Sequence, residues 1–141
     1  MAVVTRSLTW SALGLVALLV ACAPLPDTVG PAAPSGTVWN LVEVNGAPAT
    51  YGATLRLLGG GRVLGTGPCN RFEGRQTAPL PWAEFDEISV GGRDCPQARE
   101  EQAFLIALQS VDFAEVGGDS LLLSGSGGQT LFFRAAEGPS S

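Results

Sequence analysis

The apolar positions of this chain change their spacing several times, and each change predicts a different element. From Leu8 to Ala21 there is no spacing at all, only a continuous apolar run behind Arg6 and ahead of Cys22. As a helix, a run of about fourteen residues covers about 21 Å, short of the ~30 Å hydrocarbon core of a bilayer. It therefore reads as the apolar part of a signal peptide, residues 1–21, and not as a membrane span. The next stretch, residues 22–36, carries Pro24, Pro26, Pro31 and Pro34 and has no apolar period. It reads as a semi-extended tether that reaches up to ~40 Å at ~3.1 Å per residue.

From Thr37 the spacing becomes two. Val38 to Val44 is β-rich, with Trp39, Leu41 and Glu43 on one face, and Asn45-Gly46 is a strong hairpin-turn pair. Ala53 to Leu58 and Arg62 to Thr66 read as the next two strands, separated by Gly59-Gly60-Gly61. Pro68 to Gly74 reads as a loop containing Cys69. Trp82 to Val90 alternates and then switches face near Asp86-Glu87, which predicts a strand with a bulge. Both Trp39 and Trp82 are expected in the core.

The spacing then becomes helical. Phe104, Ala107, Leu108 and Val111 stand at i, i+3, i+4 and i+7, an amphipathic stripe. Asp94-Cys95-Pro96 supplies a candidate N-cap and a first-turn proline, Glu100 and Glu101 suit the positive end of the helix dipole, and the helix should end near Ser110. Three short strands follow, Asp112–Val116, Ser120–Ser124 and Thr130–Arg134, separated by glycine turns. A single helix between two runs of strands excludes a repeated βαβ arrangement. The fold class expected is mainly β (α+β): a strongly twisted antiparallel sheet curling toward a small barrel, with one helix packed on it. The domain should run over residues 37–135, and residues 136–141 form a polar, disordered tail.

Composition narrows the chemistry. All eight basic residues are Arg, and there is no Lys or His. Once Arg6 leaves with the signal, seven Arg face thirteen Asp and Glu, a balance of about −6. Such a domain draws neither nucleic acid nor anionic lipid by its overall field. Without His, Ser-His, Cys-His and His-metal sites are excluded, and without Lys so is Schiff-base chemistry. Glu84, Asp86 and Glu87 read as a solvated strand face rather than a catalytic pair. No cofactor and no metal site are expected. Two cysteines without a histidine would need carboxylates to complete four zinc ligands, and no such spacing stands out.

Leu19-Val20-Ala21-Cys22 resembles the cleavage box of bacterial lipoproteins. That resemblance implies that Cys22 becomes the lipid-bearing mature N-terminus and that the chain is held to a membrane through it. The other reading is an ordinary secretory signal with Cys22 incidental, and in both the chain leaves the cytoplasm. Ala23 in place of Asp resembles the sorting of outer-membrane lipoproteins that face the periplasm. With Cys22 assigned to lipid, Cys69 and Cys95 remain as an even pair in an oxidising compartment, either bridged or two buried thiols. A bridge would close a loop of ~27 residues, worth roughly 3–4 kcal/mol in the chain-entropy account.

A second resemblance covers nearly the whole domain. Thr37-Val38-Trp39-Asn40-Leu41 with Val44-Asn45-Gly46, then Gly67-Pro68-Cys69-Asn70-Arg71-Phe72-Glu73-Gly74, are similar to the opening blocks of the META domain of HslJ-like heat-shock lipoproteins. Cys95-Pro96 with the helix from Glu100 to Leu108, and Leu121-Leu122-Leu123 before Leu131-Phe132-Phe133, match its later blocks. The chain departs from that family at Val90-Gly91-Gly92-Arg93-Asp94, where a Thr and a Met-Ala pair are usual, and at Arg75, where an aromatic is common. The resemblance implies a small β-rich envelope domain and an association with heat-shock tolerance, without a reaction.

Asn70 and Arg71 form the candidate binding loop. Asn tolerates left-handed backbone and bonds its own loop, whereas Arg presents a bidentate fork to carboxylate or phosphate. The structural alternative has Asn70 satisfying the loop backbone, Phe72 in the core and Gly74 permitting the turn. Two functional classes follow. One is a non-enzymatic, monomeric envelope lipoprotein that binds another envelope protein and supports stress tolerance. The other is a small ligand-binding or hydrolase-inhibitor lipoprotein of the lysozyme-inhibitor or pilotin kind, with a cavity or a protruding loop.

Overall fold

The computed structural model describes residues 36–137. The signal segment, Cys22, the tether up to residue 35 and the tail from residue 138 lie outside the described residues.

Among the described residues, nine strands and one α-helix follow in chain order: β1 (Trp39–Val44), β2 (Ala47–Pro48), β3 (Thr54–Leu57), β4 (Arg62–Thr66), β5 (Arg71–Gln76), β6 (Phe85–Val90), α1 (Ala98–Gln109), β7 (Phe113–Gly117), β8 (Ser120–Ser124) and β9 (Thr130–Ala135), with a short 3-10 turn at Gly59–Gly61. All pairings are antiparallel, in the order β6-β5-β4-β3-β1-β9-β8-β7, with β2 folded back on β1. The result is the curled, barrel-like sheet with one helix that the pattern predicts. The Asn45-Gly46 turn joins β1 to β2 with both residues at positive φ (53° and 75°), the geometry for which Asn-Gly is selected.

One face of the sheet is apolar. Trp39, Leu41, Leu55, Leu57, Val63, Phe72, Phe85, Ala114, Leu121, Leu123, Leu131 and Phe133 are all buried. Helix α1 lays Phe104 and Leu108 on that face, followed by Val111, and all three are buried. Phe104 meets the rings of Phe72 (5.8 Å) and Tyr51 (6.4 Å). The interior is therefore filled by side chains, with Trp39, Phe104 and Phe133 among the largest fully buried ones.

Two bulges adjust the alternation. Opposite Gly74, β6 carries two residues, Glu87 and Ile88, where β5 carries one, and Glu87 adopts φ 52°. This is the face switch expected near Asp86-Glu87. In β1 the pairing slips between Leu41 and Glu43, so that Val44 packs on the core and Glu43 does not continue the Trp39–Leu41 face.

Three further expectations need correction. Residues 71–74 are not loop: they open strand β5, with Phe72 and Gln76 buried on its inner side. The helix begins at Ala98, with Gln97 rather than Asp94 at its N-cap, because Cys95 to Ala98 first forms a turn (Ala98 N–H to the Cys95 carbonyl, 3.2 Å). Trp82 is not core; it is 53% exposed. Its ring packs against Phe113, tilted by 57° with 4.5 Å between centroids, where the two edges of the sheet meet. The amides of Ala83 and Ala114 donate to the carbonyls of Asp112 and Pro81 across that seam (2.8 and 2.9 Å).

Candidate functional site

The segment from Gly67 to Gly74 crosses from a tight turn into β5, and its side chains take turns at opposite tasks. Cys69 stands at disulfide distance from Cys95, with 5.9 Å between Cα atoms, which sets the turn against the chain just ahead of α1. Asn70 follows. Its amide Oδ1 accepts from the Arg93 amide (2.9 Å), and its Nδ2 donates to the Arg93 carbonyl (3.0 Å) and to Glu101 Oε1 (2.7 Å). The Asn70 side chain is committed to holding loop against loop.

Glu101 completes the arrangement. It lies in the first turn of α1 yet is buried. Its Oε2 accepts the backbone amides of Cys69 (2.9 Å) and Asn70 (2.6 Å). Burial pushes this carboxyl up, but the hydrogen bonds from the Asn70 side chain, the Asn70 amide and the Cys69 amide together outweigh it and hold the group below its ordinary value of 4.5. Gly67 makes room for the approach, since a Cβ there would come within 2.7 Å of Glu101 Oε2. The sequence reading places Glu101 only at the positive end of the helix dipole. One signal was available: position 101 precedes Phe104 by three and Leu108 by seven residues, so it falls on the apolar stripe, where a carboxylate needs partners.

Arg71 does the opposite of Asn70. Its side chain points out of the sheet, is exposed, and makes no hydrogen bond or ion pair among the described residues. It sits on the ridge between two clefts. One, of about 570 Å³, lies over β3 to β6 and is lined by Thr54, Arg56, Leu64, Thr66, Arg71, Glu73, Ser89 and Val90 among others. The second, of about 510 Å³, lies beside Cys69 and includes Asn70, Arg71 and Arg93. The structure thus separates the two predicted loop residues: Asn70 builds the loop and Arg71 faces outward. Cys22 lies outside the described residues. Among the described residues, no group of three or more Cys, Asp or Glu side chains could hold a metal.

A curled antiparallel sheet closed over one helix, with a turn anchored by a buried carboxylate, defines a small β-rich domain of the half-barrel kind. The family follows from the sequence match: the META domain model covers residues 32–137, and the chain belongs to that family. The fold is shared with an NMR structure of a protein from Burkholderia xenovorans, at TM-score 0.63 and 24% identity, over 82% of this chain and 94% of that one. It is also shared with the crystal structure of a DUF4847 family protein from Bacteroides vulgatus, at TM-score 0.60 and 15% identity, over 74% and 96% of the two chains. No curated protein matches this chain.

Proposed function

We propose that this chain is a lipid-anchored lipoprotein of the cell envelope, facing the periplasm from the outer membrane. Its META domain would serve stress tolerance by stoichiometric binding rather than by catalysis. The observation that carries this reading is the order of segments: an apolar run ending in Leu19-Val20-Ala21-Cys22, a Pro-rich tether, then the META match from residue 32. The use of the titratable groups supports the binding half. The chain has no His or Lys, and Glu101 spends its carboxylate on three hydrogen bonds within the fold. Arg71 is the outward, directional group of the same segment, suited to a partner carboxylate or phosphate. The tied-down Cys69–Arg71 turn and the filled interior favour a partner-binding surface over an inhibitor loop or an internal lipid cavity.

The test is fractionation. Cys22→Ser should move the protein from the membrane to the soluble fraction of the envelope, and persistence in salt-washed membranes would overturn the anchor. Purified protein should show no turnover of peptide, ester, phosphate or glycan substrates, and turnover that survives repurification would overturn the binding role.

A further inference from the structure

The Arg residues look scattered in sequence, but the sheet gathers them. Strand register lays three rows across the outer face of β3 to β6: Thr54·Thr66·Arg71, then Arg56·Leu64·Glu73·Ser89, then Arg62·Arg75·Asp86. Four of the seven described Arg therefore share one face of an acidic protein, and all four are exposed. The side chains of Arg56, Arg62 and Arg71 have no hydrogen-bond or ion-pair partner among the described residues, while the Arg75 side chain donates only to the Gly60 carbonyl (3.3 Å). The ion pair found among the described residues, Arg134 with Asp119, lies on the other half of the sheet. Exposed arginines without partners keep their full capacity for an external oxyanion.

The cleft over this face has a mixed lining. Arg56 and Arg71 flank it, Thr54, Thr66 and Ser89 bring hydroxyls, and Leu64 and the exposed Val90 bring apolar surface. That combination suits a phosphate carried on a molecule with an apolar body. The route by which the chain enters the domain selects among such molecules. Trp39 pairs with Leu55, so Val38 enters the sheet beside Arg56, at the arginine-bearing end of β3. Described residues 36–38 therefore join the domain beside Arg56, and the proposed lipid site, Cys22, lies 14 residues ahead of Gly36 in sequence.

We propose that the outer face of β3 to β6 binds the phosphate headgroups of anionic lipid in the leaflet that holds the anchor. The domain would then lie on the bilayer with Arg56 and Arg71 against it. Glu73, Asp86 and Glu87 lie on or beside this face, and the whole chain is net negative, so the attraction is local. It acts within a Debye length of ~8–10 Å and gains effect because the tether holds the domain nearby. The membrane source of the phosphate rests on the lipoprotein reading; the anion chemistry of the face does not.

The experiment uses the unlipidated mature chain, residues 22–141 carrying Cys22→Ser, so that binding is read without the anchor. It should co-sediment at low salt with vesicles of phosphatidylcholine plus phosphatidylglycerol, and not with phosphatidylcholine alone. The double variant Arg56→Gln/Arg71→Gln should weaken this by on the order of tenfold or more with an unchanged Tm. Arg134→Gln should leave it intact. Two further arms distinguish the source of the phosphate: dihexanoyl phosphatidylglycerol below its micelle concentration should compete, and inorganic phosphate at equal concentration should not. Equal binding to neutral vesicles, no binding to anionic ones, or an unaffected double variant would overturn the proposal. Full competition by inorganic phosphate would overturn its bilayer source. A failure here with Cys22-dependent fractionation intact removes the lipid-binding face and leaves the anchor standing.

Discussion

Replacing Glu101 with Gln tests the anchor of the Cys69–Asn70 turn at constant volume. The native carboxylate accepts from the Cys69 amide (2.9 Å), the Asn70 amide (2.6 Å) and Asn70 Nδ2 (2.7 Å). A carboxamide has one oxygen. If it faces the two backbone amides, its NH₂ meets Asn70 Nδ2, donor against donor. Asn70 cannot flip to relieve this, because its Oδ1 and Nδ2 are both matched to the Arg93 backbone. One charge-assisted bond is lost and two are weakened, which should cost about 2–4 kcal/mol, a large part of the ~5–15 kcal/mol typical of such a domain. Chemical denaturation at neutral pH measures this, and amide exchange localises it, since the Cys69 and Asn70 amides should lose protection. Acid gives an independent reading. Burial raises the carboxyl and the three hydrogen bonds more than reverse it, so its folded value lies below the unfolded one. Its contribution is complete above the ordinary value near 4.5 and is lost as pH falls through the folded value. The gap between wild type and Glu101→Gln should therefore narrow as pH drops below that point. A cost under ~0.5 kcal/mol with an unchanged acid slope would refute the role assigned to Glu101.

Other outcomes follow from the same geometry. Cys69 and Cys95 should resist alkylation in protein denatured without reductant, and Cys69→Ala/Cys95→Ala should cost about 2–4 kcal/mol in denaturant melts; quantitative labelling before reduction would disprove the bridge. Phe104→Ala and Leu108→Ala should each cost about 2–5 kcal/mol, whereas exposed Gln102→Ala should stay within ~0.5 kcal/mol. Trp82→Ala should cost about 1–2 kcal/mol by opening the seam with Phe113. In the mature chain Trp82→Phe should also remove the acrylamide-quenchable emission, leaving buried Trp39.

How much of the fold was legible depended on whether the inward positions were apolar. In β8, Leu121 and Leu123 face inward and in β9 Leu131 and Phe133 do, so the alternation reads directly. Helix α1 was legible for the same reason, through Phe104, Leu108 and Val111. In β5 the inward positions are Phe72, Gly74 and Gln76, and only the first looks apolar. Gly74 is small because a Cβ there would meet Ile88 across the bulge, and Gln76 is buried because its Nε2 donates to the Ala78 carbonyl at 2.8 Å. Neither reason shows in the apolar pattern, so the strand reads as a loop. Trp82 misleads in the other direction. Its size suggests core, but it sits where two sheet edges touch at a single bridge, and half the ring stays in solvent.

The site divides along the same line. The sequence singles out Asn70 and Arg71 together because they are adjacent and both polar. Adjacent residues entering a strand point to opposite sides, and the consequence here is a division of labour. Asn70 faces the turn and is consumed by Glu101 and the Arg93 backbone, while Arg71 faces outward and joins Arg56, two strands away. Neither Glu101 nor Arg56 lies near Asn70 in sequence, so no local pattern could supply them. Overall charge is equally silent, since it averages the arginines of the β3 to β6 face with carboxylates distributed over the whole domain, that face included. Replacing Asn70 should therefore injure the fold and replacing Arg71 should not. Asn70→Ala is expected to lower Tm together with any binding. Arg71→Ala should shift Tm by no more than about 2–4 °C, as for a surface substitution of less than ~0.5 kcal/mol, and should weaken binding alone. A comparable loss of Tm in both variants would mean that Arg71, too, belongs to the scaffold.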